Sequence, residues 1–333
     1  MAASRDEIQR FMDGLEPIIA RSFRDALSQI KTRAQITALT EAIRANNMTA
    51  VMNALGLRPG SWAGISEAVR NAYIESGAFM IAADVPRRLG MVFDVLNPRA
   101  EQWLRGHSSE FITYISNEQR ETVQELLRQS MAAGRNPRST ALDIVGRMSS
   151  QTRRREGGIL GLNKPQAAAA LRAREQLANL DSAYFQRTLR DKRFDGIVRR
   201  SINSGMPLAQ SDINRIVGRY EDRLLKLRGD TIGRTETLAA LNEASDESLR
   251  QVVQEGLAPP DAVKRIWRHS FSQNERPGHI AMDGESRGID EAFTNPVTGV
   301  SLIHPGEGPA GEVINCSCYI EHKIDFAMAE GLT

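Results

Sequence analysis

Cysteine and aromatic residues are scarce in this chain of 333 residues. The two cysteines stand in a single Cys-Ser-Cys triplet, Cys316 to Cys318, and this excludes the disulfide framework of a small secreted protein. Phe, Trp and Tyr make up only 5% of the residues, so aliphatic side chains must build the cores, which favours packed helices. The length and the hydrophobic fraction of 41% predict a globular protein of about two domains.

Long apolar runs and targeting signals are also missing. No run approaches the roughly 18 apolar residues that cross a bilayer, and the longest, residues 77–83, predicts a buried helix segment. The N-terminus lacks the basic and apolar regions of a secretory signal. We therefore expect a soluble protein that is made in a reducing cytosol and has no membrane partner.

Signatures of catalysis are sparse. The glycines at 157, 158 and 161 are not followed by the Lys-Ser/Thr pair of a phosphate-binding loop. The HExxH motif of zinc proteases does not occur, and the acidic residues are not clustered as a magnesium-dependent nuclease requires. A structural or binding role is therefore expected rather than catalysis.

What the chain does contain is charge, unevenly divided. Residues 135–228 carry 20 basic and 9 acidic side chains, whereas residues 229–333 carry 8 and 17, giving net charges of +11 and −9. A basic middle predicts a polyanionic or acidic partner, or an internal match with the acidic end. Solvated arginines on exposed faces are the alternative. The predicted DNA or acidic-partner contacts are Arg153, Arg154 and Arg155 in a loop and Arg215, Arg219 and Arg223 along one helix face.

Hydrophobic periodicity predicts the fold class. Apolar residues recur at three- and four-residue steps through much of the first 254 residues, which predicts successive helices. After Pro259 and Pro260 the period becomes two, around Trp267 and again over residues 314–320, which predicts strands. The predicted fold is mainly α with a C-terminal α+β module. Its parts are an N-terminal helical segment (1–90), a basic helical region (91–228) and a small loop-rich domain with short strands (229–333).

An ordered set of motifs lies in the last third of the chain. It includes Arg-Thr-Glu-Thr, Arg-Pro-Gly-His, Met-Asp-Gly and Asn-Cys-Ser-Cys. In this order the motifs resemble the phage head morphogenesis family, named after the F protein of phage Mu, which includes minor capsid proteins of tailed phages. The resemblance covers residues 229–322. The residues that carry it are Arg234, Glu236, Trp267, Arg276, His279, Asp283, Gly284, Asn315, Cys316 and Cys318.

The resemblance implies a minor structural protein of the virion, at the capsid interior or portal vertex, that is assembled in the host bacterial cytoplasm. Its implied partners are the portal protein or the major capsid protein, with packaged double-stranded DNA as a further partner. The implied roles are head assembly and DNA packaging or delivery, without an established enzymatic activity. Ser317 stands where the family usually has a basic residue.

Two other hypotheses stay open at this point. One is a DNA-binding protein that is ejected with the genome, with the six arginines as its contacts. The other is an enzyme in which His279 acts as general base beside Asp283 or Glu236.

The Cys-Ser-Cys triplet and His279 also predict a metal site. On a strand, Cys316 and Cys318 would point to the same face, which suits two corners of a tetrahedral zinc site and disfavours a disulfide between them. His279 would be the third ligand of this structural zinc. Two buried thiols with a hydrogen-bonded His279 are the alternative. The candidates for the fourth ligand are His269, His304, His322 and Asp283.

Four charged residues of the motif set are predicted to organise loops. A buried pair of Arg276 and Asp283 would pin the glycine-rich loops to the sheet. Arg234 and Glu236 are predicted to hold the same loops from the long helix that precedes the loops.

Overall fold

A computed structural model of the chain describes residues 3–270 and 275–326. Within these residues it has eleven α-helices and seven short strands, and the strands of its largest sheet lie in the C-terminal region. The helices are α1 (Arg5–Arg33), α2 (Ile36–Arg44), α3 (Met48–Leu55), α4 (Ala63–Asp84), α5 (Pro98–Ala132), α6 (Pro137–Val145), α7 (Lys164–Ala178), α8 (Asp195–Ser204), α9 (Gln210–Gln254), α10 (Pro277–Ala281) and α11 (Ala310–Val313). The predicted mainly α fold with a small C-terminal α+β module is confirmed.

The strands are all short and antiparallel in their pairing. They are β1 (Arg147–Met148), β2 (Arg155–Glu156), β3 (Val263–Arg268), β4 (Ser286–Arg287), β5 (Phe293–Thr294), β6 (Ser301–Leu302) and β7 (Tyr319–Ile324). Single 3-10 turns lie at Pro59–Trp62, Arg87–Leu89, Ser182–Gln186, Lys192–Phe194 and Pro260–Ala262. None of the described helices has the length and apolarity that a membrane crossing requires.

Contacts within the chain group it into two units whose segments alternate along the sequence. Unit 1 comprises Met1–Ser22, Ile65–Ser109 and Asp230–Thr333, and unit 2 comprises Phe23–Gly64 and Glu110–Gly229. The helices α1, α5 and α9 each contribute residues to both units. This grouping differs from the three consecutive segments expected from the sequence, because unit boundaries fall inside helices, where no loop residues mark them. The three-segment division stays a prediction.

Unit 1 has a core to which helices and strands both contribute. Leu238 and Leu241 of α9 and Met80 of α4 pack with Trp267 of β3 in this core. The central strand β3 pairs with β4 on one side and with β7 on the other. Alternate residues of β3 are buried, as the period-two pattern around Trp267 predicted.

The second predicted strand begins later than expected. Residues 314–320 were predicted to be extended, but β7 starts only at Tyr319. Asn315 has a φ of 56°, in the left-handed region that Asn tolerates better than most residues. The chain therefore turns at Asn315, directly after α11, and the prediction that both cysteines lie on one strand face is wrong.

Unit 2 is helical except for the hairpin of β1 and β2. Asn163 begins α7 with a capping box, in which its side chain accepts from the Gln166 amide and the Gln166 side chain accepts from the Asn163 amide. Two glycines directly after β2 hold the β-hairpin against α9. The Gly157 amide donates to the Asp222 carboxylate, and the Gly158 amide donates to the Glu221 carboxylate. Both carboxylates belong to α9, so this helix fixes the position of the hairpin.

Candidate metal centre and motif residues

The Arg-Pro-Gly-His motif forms the beginning of α10 and places His279 in the interior of unit 1. Pro277 occupies the first turn, where its missing amide hydrogen leaves no bond unmade. Gly278 packs directly on Asn295, since a Cβ atom at this position would lie 1.9 Å from the Asn295 Oδ1. The next residue, His279, is 1% exposed. The Pro-Gly pair thus allows a tight turn that carries a buried imidazole.

His279 and the two cysteines converge in space. The His279 Nδ1 lies 3.4 Å from the Cys316 Sγ and 3.6 Å from the Cys318 Sγ. The three donor atoms all lie within 4.8 Å of one another, and all three residues are buried. Both cysteines are free thiols. This cluster could hold a metal ion, as the sequence predicted, although the cysteines reach it from a turn rather than from a strand.

A carboxylate that the sequence did not single out orients the imidazole. The Glu312 Oε2 lies 2.7 Å from the His279 Nε2, and Glu312 also accepts hydrogen bonds from the Asn295 Nδ2 at 3.0 Å and the Thr298 Oγ1 at 2.7 Å. A carboxylate partner requires a proton on Nε2, which leaves Nδ1 to interact with the sulfurs. Metal-binding histidines are typically oriented by such an outer carboxylate.

The electrostatics of the cluster favour one anionic sulfur. A hydrogen bond from Cys318 and the neighbouring His279 lower the pKa of the Cys316 thiol well below its usual range, against the opposing effect of burial. The hydrogen bond to Cys316 and burial raise the pKa of Cys318. Burial lowers the pKa of His279, but its contacts with Cys316 and Glu312 outweigh burial and raise it. A bound cation would replace the shared protons.

The same atoms form the thiol–imidazole–carboxylate series that activates a cysteine nucleophile. Cys316 and Cys318 are each 2% exposed and His279 is 1% exposed. A substrate could reach these sulfurs only if the surrounding loops opened, whereas a metal ion can be enclosed as the chain folds. Burial therefore favours a metal centre over a catalytic one.

The predicted fourth ligands do not join the cluster, which among the described residues has three members. His304 lies 2.9 Å from Glu243 and the His322 Nε2 lies 2.8 Å from the Ser245 hydroxyl. The Asp283 carboxylate accepts a hydrogen bond from the His269 backbone amide at 2.8 Å. The prediction of a fourth ligand among these residues is wrong, because each has another place in the network.

Arg276 and Asp283 organise separate loops. Arg276 donates to the carbonyls of Gly311 and Ile314 at 2.7 and 2.6 Å, and so ties α10 to the turn that carries the cysteines. Asp283 binds a backbone amide instead, and Gly284, with a φ of 81°, donates to the Trp267 carbonyl. The structure therefore does not make the predicted arginine–carboxylate pair between them.

The remaining motif residues fix α9 and the core. Arg234 lies 3.4 Å from the Glu16 carboxylate, and Glu236 lies 2.6 Å from the His107 imidazole. The Asn315 amide donates to the Thr235 hydroxyl at 3.4 Å. The Trp267 ring meets the His279 ring edge-on with centroids 5.3 Å apart.

Arg265, a further residue of unit 1 that was not predicted, is fully buried on β3. Its guanidinium donates to the Asp246 carboxylate at 3.1 Å and to the carbonyls of Gly288, Glu291 and Ile303. The sequence pattern indicated the burial of Arg265, since period-two alternation places Arg265 on the same face as the buried Trp267.

The six predicted contact arginines all belong to unit 2. Arg153 and Arg154 are exposed at the end of the β-hairpin, and Arg155 donates to the Gly146 carbonyl. On α9, Arg215 pairs with Asp212, Arg219 with Glu156 of the hairpin and Arg223 with Asp191. The pair of Arg219 and Glu156 links the two groups of arginines, which are more than fifty residues apart in sequence.

Part of the chain is similar to a known bacterial protein. No protein-family model matches the chain, and no solved structure matches it. A stretch of 102 residues is 33% identical to the uncharacterized protein YqbB of Bacillus subtilis (strain 168). The match covers 29% of this chain, and the chain spans only about a third, 31%, of that relative's length.

Proposed function

We propose that the protein is a structural assembly protein of a tailed-phage head, and that its C-terminal region is a contact module held rigid by zinc. The proposal combines the motif resemblance with one observation. The motif residues His279, Cys316 and Cys318 bring one imidazole nitrogen and two sulfurs together in a buried cluster, with Glu312 behind the imidazole. The role in the head rests on the resemblance, and the choice of zinc rests on the donor geometry.

The donor distances fit tetrahedral zinc. Zn–S bonds of about 2.3 Å and Zn–N bonds of about 2.0 Å, at a tetrahedral angle, place nitrogen and sulfur about 3.5 Å apart. The two distances from the His279 Nδ1 to the sulfurs are 3.4 and 3.6 Å. Thiolate and imidazole donors favour zinc over magnesium or calcium. The two nitrogen–sulfur distances therefore support zinc at a site where His279 and the two cysteines occupy three corners of a tetrahedron.

Zinc at this position would stabilise loops that share little regular structure. It would join α10 to the turn before β7, and Arg276 and Glu312 already link the same segments through α11. The expected result is a rigid surface for the portal protein or the major capsid protein. Localisation in the virion and a part in DNA packaging follow from that role and belong to the same proposal.

The assembly role is tested with the tag-free, full-length protein and the portal and major capsid proteins of the phage that encodes it. We expect co-sedimentation with the portal oligomer or with heads, and loss of that binding in Cys316→Ser. Ser317→Ala, a change within the same triplet that removes no ligand, is the matched control. Zinc content without binding to either partner would contradict the assembly role and leave the metal site standing.

The orienting function of Glu312 is tested separately. Replacing an outer carboxylate lowers metal affinity by about 10- to 100-fold, so we expect Glu312→Gln to weaken zinc binding by this factor in a competition titration with a chromophoric chelator. Glu321→Gln removes a half-exposed carboxylate of the same unit and should leave the affinity unchanged. Equal affinities in both variants would show that Glu312 does not orient the ligand.

A further inference from the structure

Unit 2 carries a continuous basic surface that the sequence showed only in pieces. Its residues come from three segments, the β-hairpin (147–156), residues 185–200 and the first part of α9 (212–226). Together these segments contain 14 basic and 6 acidic residues, a net charge of +8. We call this the basic surface, and its exposed arginines include Arg153, Arg154, Arg193, Arg215 and Arg223.

A polar cleft lies between the hairpin and α9. The cleft has a volume of about 570 Å³, and Met148 is its one large apolar lining residue. The hairpin approaches the helix closely, because a Cβ atom at Gly157 would lie 2.6 Å from the Gly218 Cα. Its lining includes the guanidiniums of Arg147, Arg215 and Arg219 and one carboxylate, Glu156, which pairs with Arg219. The other polar lining groups are hydroxyls and side-chain amides.

Arginines outnumber the acids that neutralise them. The buried Asp191 serves both Arg193 and Arg223, at 2.6 and 3.4 Å. The buried Asp143 serves Arg135, Arg147 and Arg174. Each carboxylate fixes the orientation of several guanidiniums while cancelling only one charge. The surplus positive charge stays on the surface with its donors held in place.

We propose that the basic surface binds the phosphate backbone of double-stranded DNA without reading its sequence. Guanidinium forks, serine hydroxyls and side-chain amides are the groups that contact phosphates. The surface lacks the apolar centre of a typical protein interface, since Met148 alone among the cleft residues is a large apolar side chain. This separates a DNA backbone from an acidic protein face as the partner.

The aromatic side chains favour a duplex over a single strand. Binding of single strands relies on exposed rings that stack on bases. Here Arg215 lies over the Phe194 ring at 5.3 Å and Arg199 over the Phe185 ring at 5.2 Å. The rings therefore support guanidiniums instead of offering a face to bases. This assigns a surface to the proposed part in DNA packaging, and its observations come from unit 2 alone and do not depend on the metal site.

The test measures the binding of the full-length protein to a fluorescently labelled random duplex of about 24 base pairs between 50 and 200 mM salt. If about five phosphates are contacted, the affinity should fall roughly 10²- to 10³-fold over this range. The double variant Arg154→Ala/Arg215→Ala should bind more weakly and lower the slope of log K against log salt by about two.

A matched control variant distinguishes the effect of the basic surface from the effect of losing two positive charges elsewhere in unit 2. Arg44 and Arg128 are also exposed arginines of unit 2 that pair with a glutamate three residues earlier, as Arg215 pairs with Asp212. Arg44→Ala/Arg128→Ala removes the same charge and should leave the slope near that of the wild type. Circular dichroism melting must show that both variants fold.

Four results would overturn the proposal. They are no duplex binding at 50 mM salt, equal losses in the test and control variants, tighter binding of single-stranded DNA than of duplex, and binding of poly-glutamate in preference to DNA. The last result would assign the surface to an acidic protein.

Discussion

Two buried charges of opposite sign, Arg265 in unit 1 and Asp143 in unit 2, organise their surroundings differently. In unit 1 the guanidinium of Arg265 is fully buried among one carboxylate and three backbone carbonyls. In unit 2 the carboxylate of Asp143 is 2% exposed and is surrounded by three arginines. The first arrangement uses one side chain to order several loops. The second uses one buried acid to orient several cations.

The two networks leave different net charge around the buried group. The acceptors of Arg265 are mostly carbonyls, which are fixed in place and carry no net charge, so its contribution is the order of the loop backbone. Two of the three arginines around Asp143 are 27% exposed, so they reach solvent with positive charge in excess. The Arg265 network of unit 1 therefore orders loops, whereas the Asp143 network of unit 2 leaves positive charge in contact with solvent.

The largest effect is expected at Arg265. Arg265→Met would remove the buried donor of the Asp246 Oδ1 and of the Glu291 and Ile303 carbonyls, while Arg250 would still pair with the other Asp246 oxygen. Removing one partner of a buried pair lowers the free energy of unfolding by about 3–5 kcal/mol. Chemical denaturation measures this loss. Arg265→Lys restores the charge but not the five-donor fork and should recover only part of the loss. A loss below about 1 kcal/mol for Arg265→Met would contradict its role in ordering the loops.

A smaller loss is expected at Asp143. Asp143→Asn removes the charge that three arginines share, and we expect a loss of about 3 kcal/mol, since two of them can turn toward solvent. The same denaturation experiment compares the two units directly. If Asp143→Asn were more damaging than Arg265→Met, the two networks would not differ as described.

A pH dependence should distinguish unit 1. Burial lowers the pKa of His304, but the hydrogen bond and charge of Glu243 outweigh it and raise the pKa to about 9. Because the folded pKa lies above the unfolded value of about 6.5, the stabilisation is complete below pH 6.5 and is lost as the pH rises to about 9. We expect a loss of about 2–3 kcal/mol over this interval.

Glu243→Gln should remove most of this pH dependence, which is measured as the difference between variant and wild type from pH 6 to 9.5. The control is Glu321→Gln, which replaces a carboxylate of β7 that pairs with Arg268. If the difference in unfolding free energy between Glu243→Gln and the wild type stayed constant from pH 6 to 9.5, the role of the His304–Glu243 pair would be contradicted.

The smallest effect is expected at a surface pair of unit 1. The Arg268 and Glu321 side chains are 34% and 31% exposed, and such pairs contribute about 0.2–1 kcal/mol. Arg268→Ala should therefore lower the unfolding free energy by no more than about 1 kcal/mol. A loss as large as that of Arg265→Met would show that burial does not decide the ranking.

Sequence patterns predicted several local elements, whereas the two units cannot be read from local patterns because their boundaries fall inside helices. The alternation around Trp267 predicted β3. The helix α9 continues through both Gly229 and Gly233, although glycine often marks the end of a helix. Gly233 has a packing function instead, since a Cβ atom there would lie 2.5 Å from the Glu16 carbonyl oxygen. A helix interior tolerates a glycine when tertiary contacts outweigh its cost of about 1 kcal/mol.

The cluster of His279, Cys316 and Cys318 was predicted from the sequence, but its carboxylate partner Glu312 was not. The rarity of cysteine drew attention to Cys316 and Cys318, and the motif supplied His279. Glu312 lies in a Gly- and Pro-rich stretch where no periodic pattern marks a buried residue. Its function depends on the folding of α10, α11 and the β5–β6 hairpin into one network. Such contacts between distant loops are not encoded in local spacing.

The central claim is that His279, Cys316 and Cys318 form a zinc site, and the most direct test is the zinc content of tag-free protein measured by mass spectrometry. We predict about one zinc per chain in the wild type and in Ser317→Ala, with a strong reduction in Cys316→Ser and His279→Ala. A wild-type content below about a tenth of an equivalent, in protein purified without chelators, would contradict the claim.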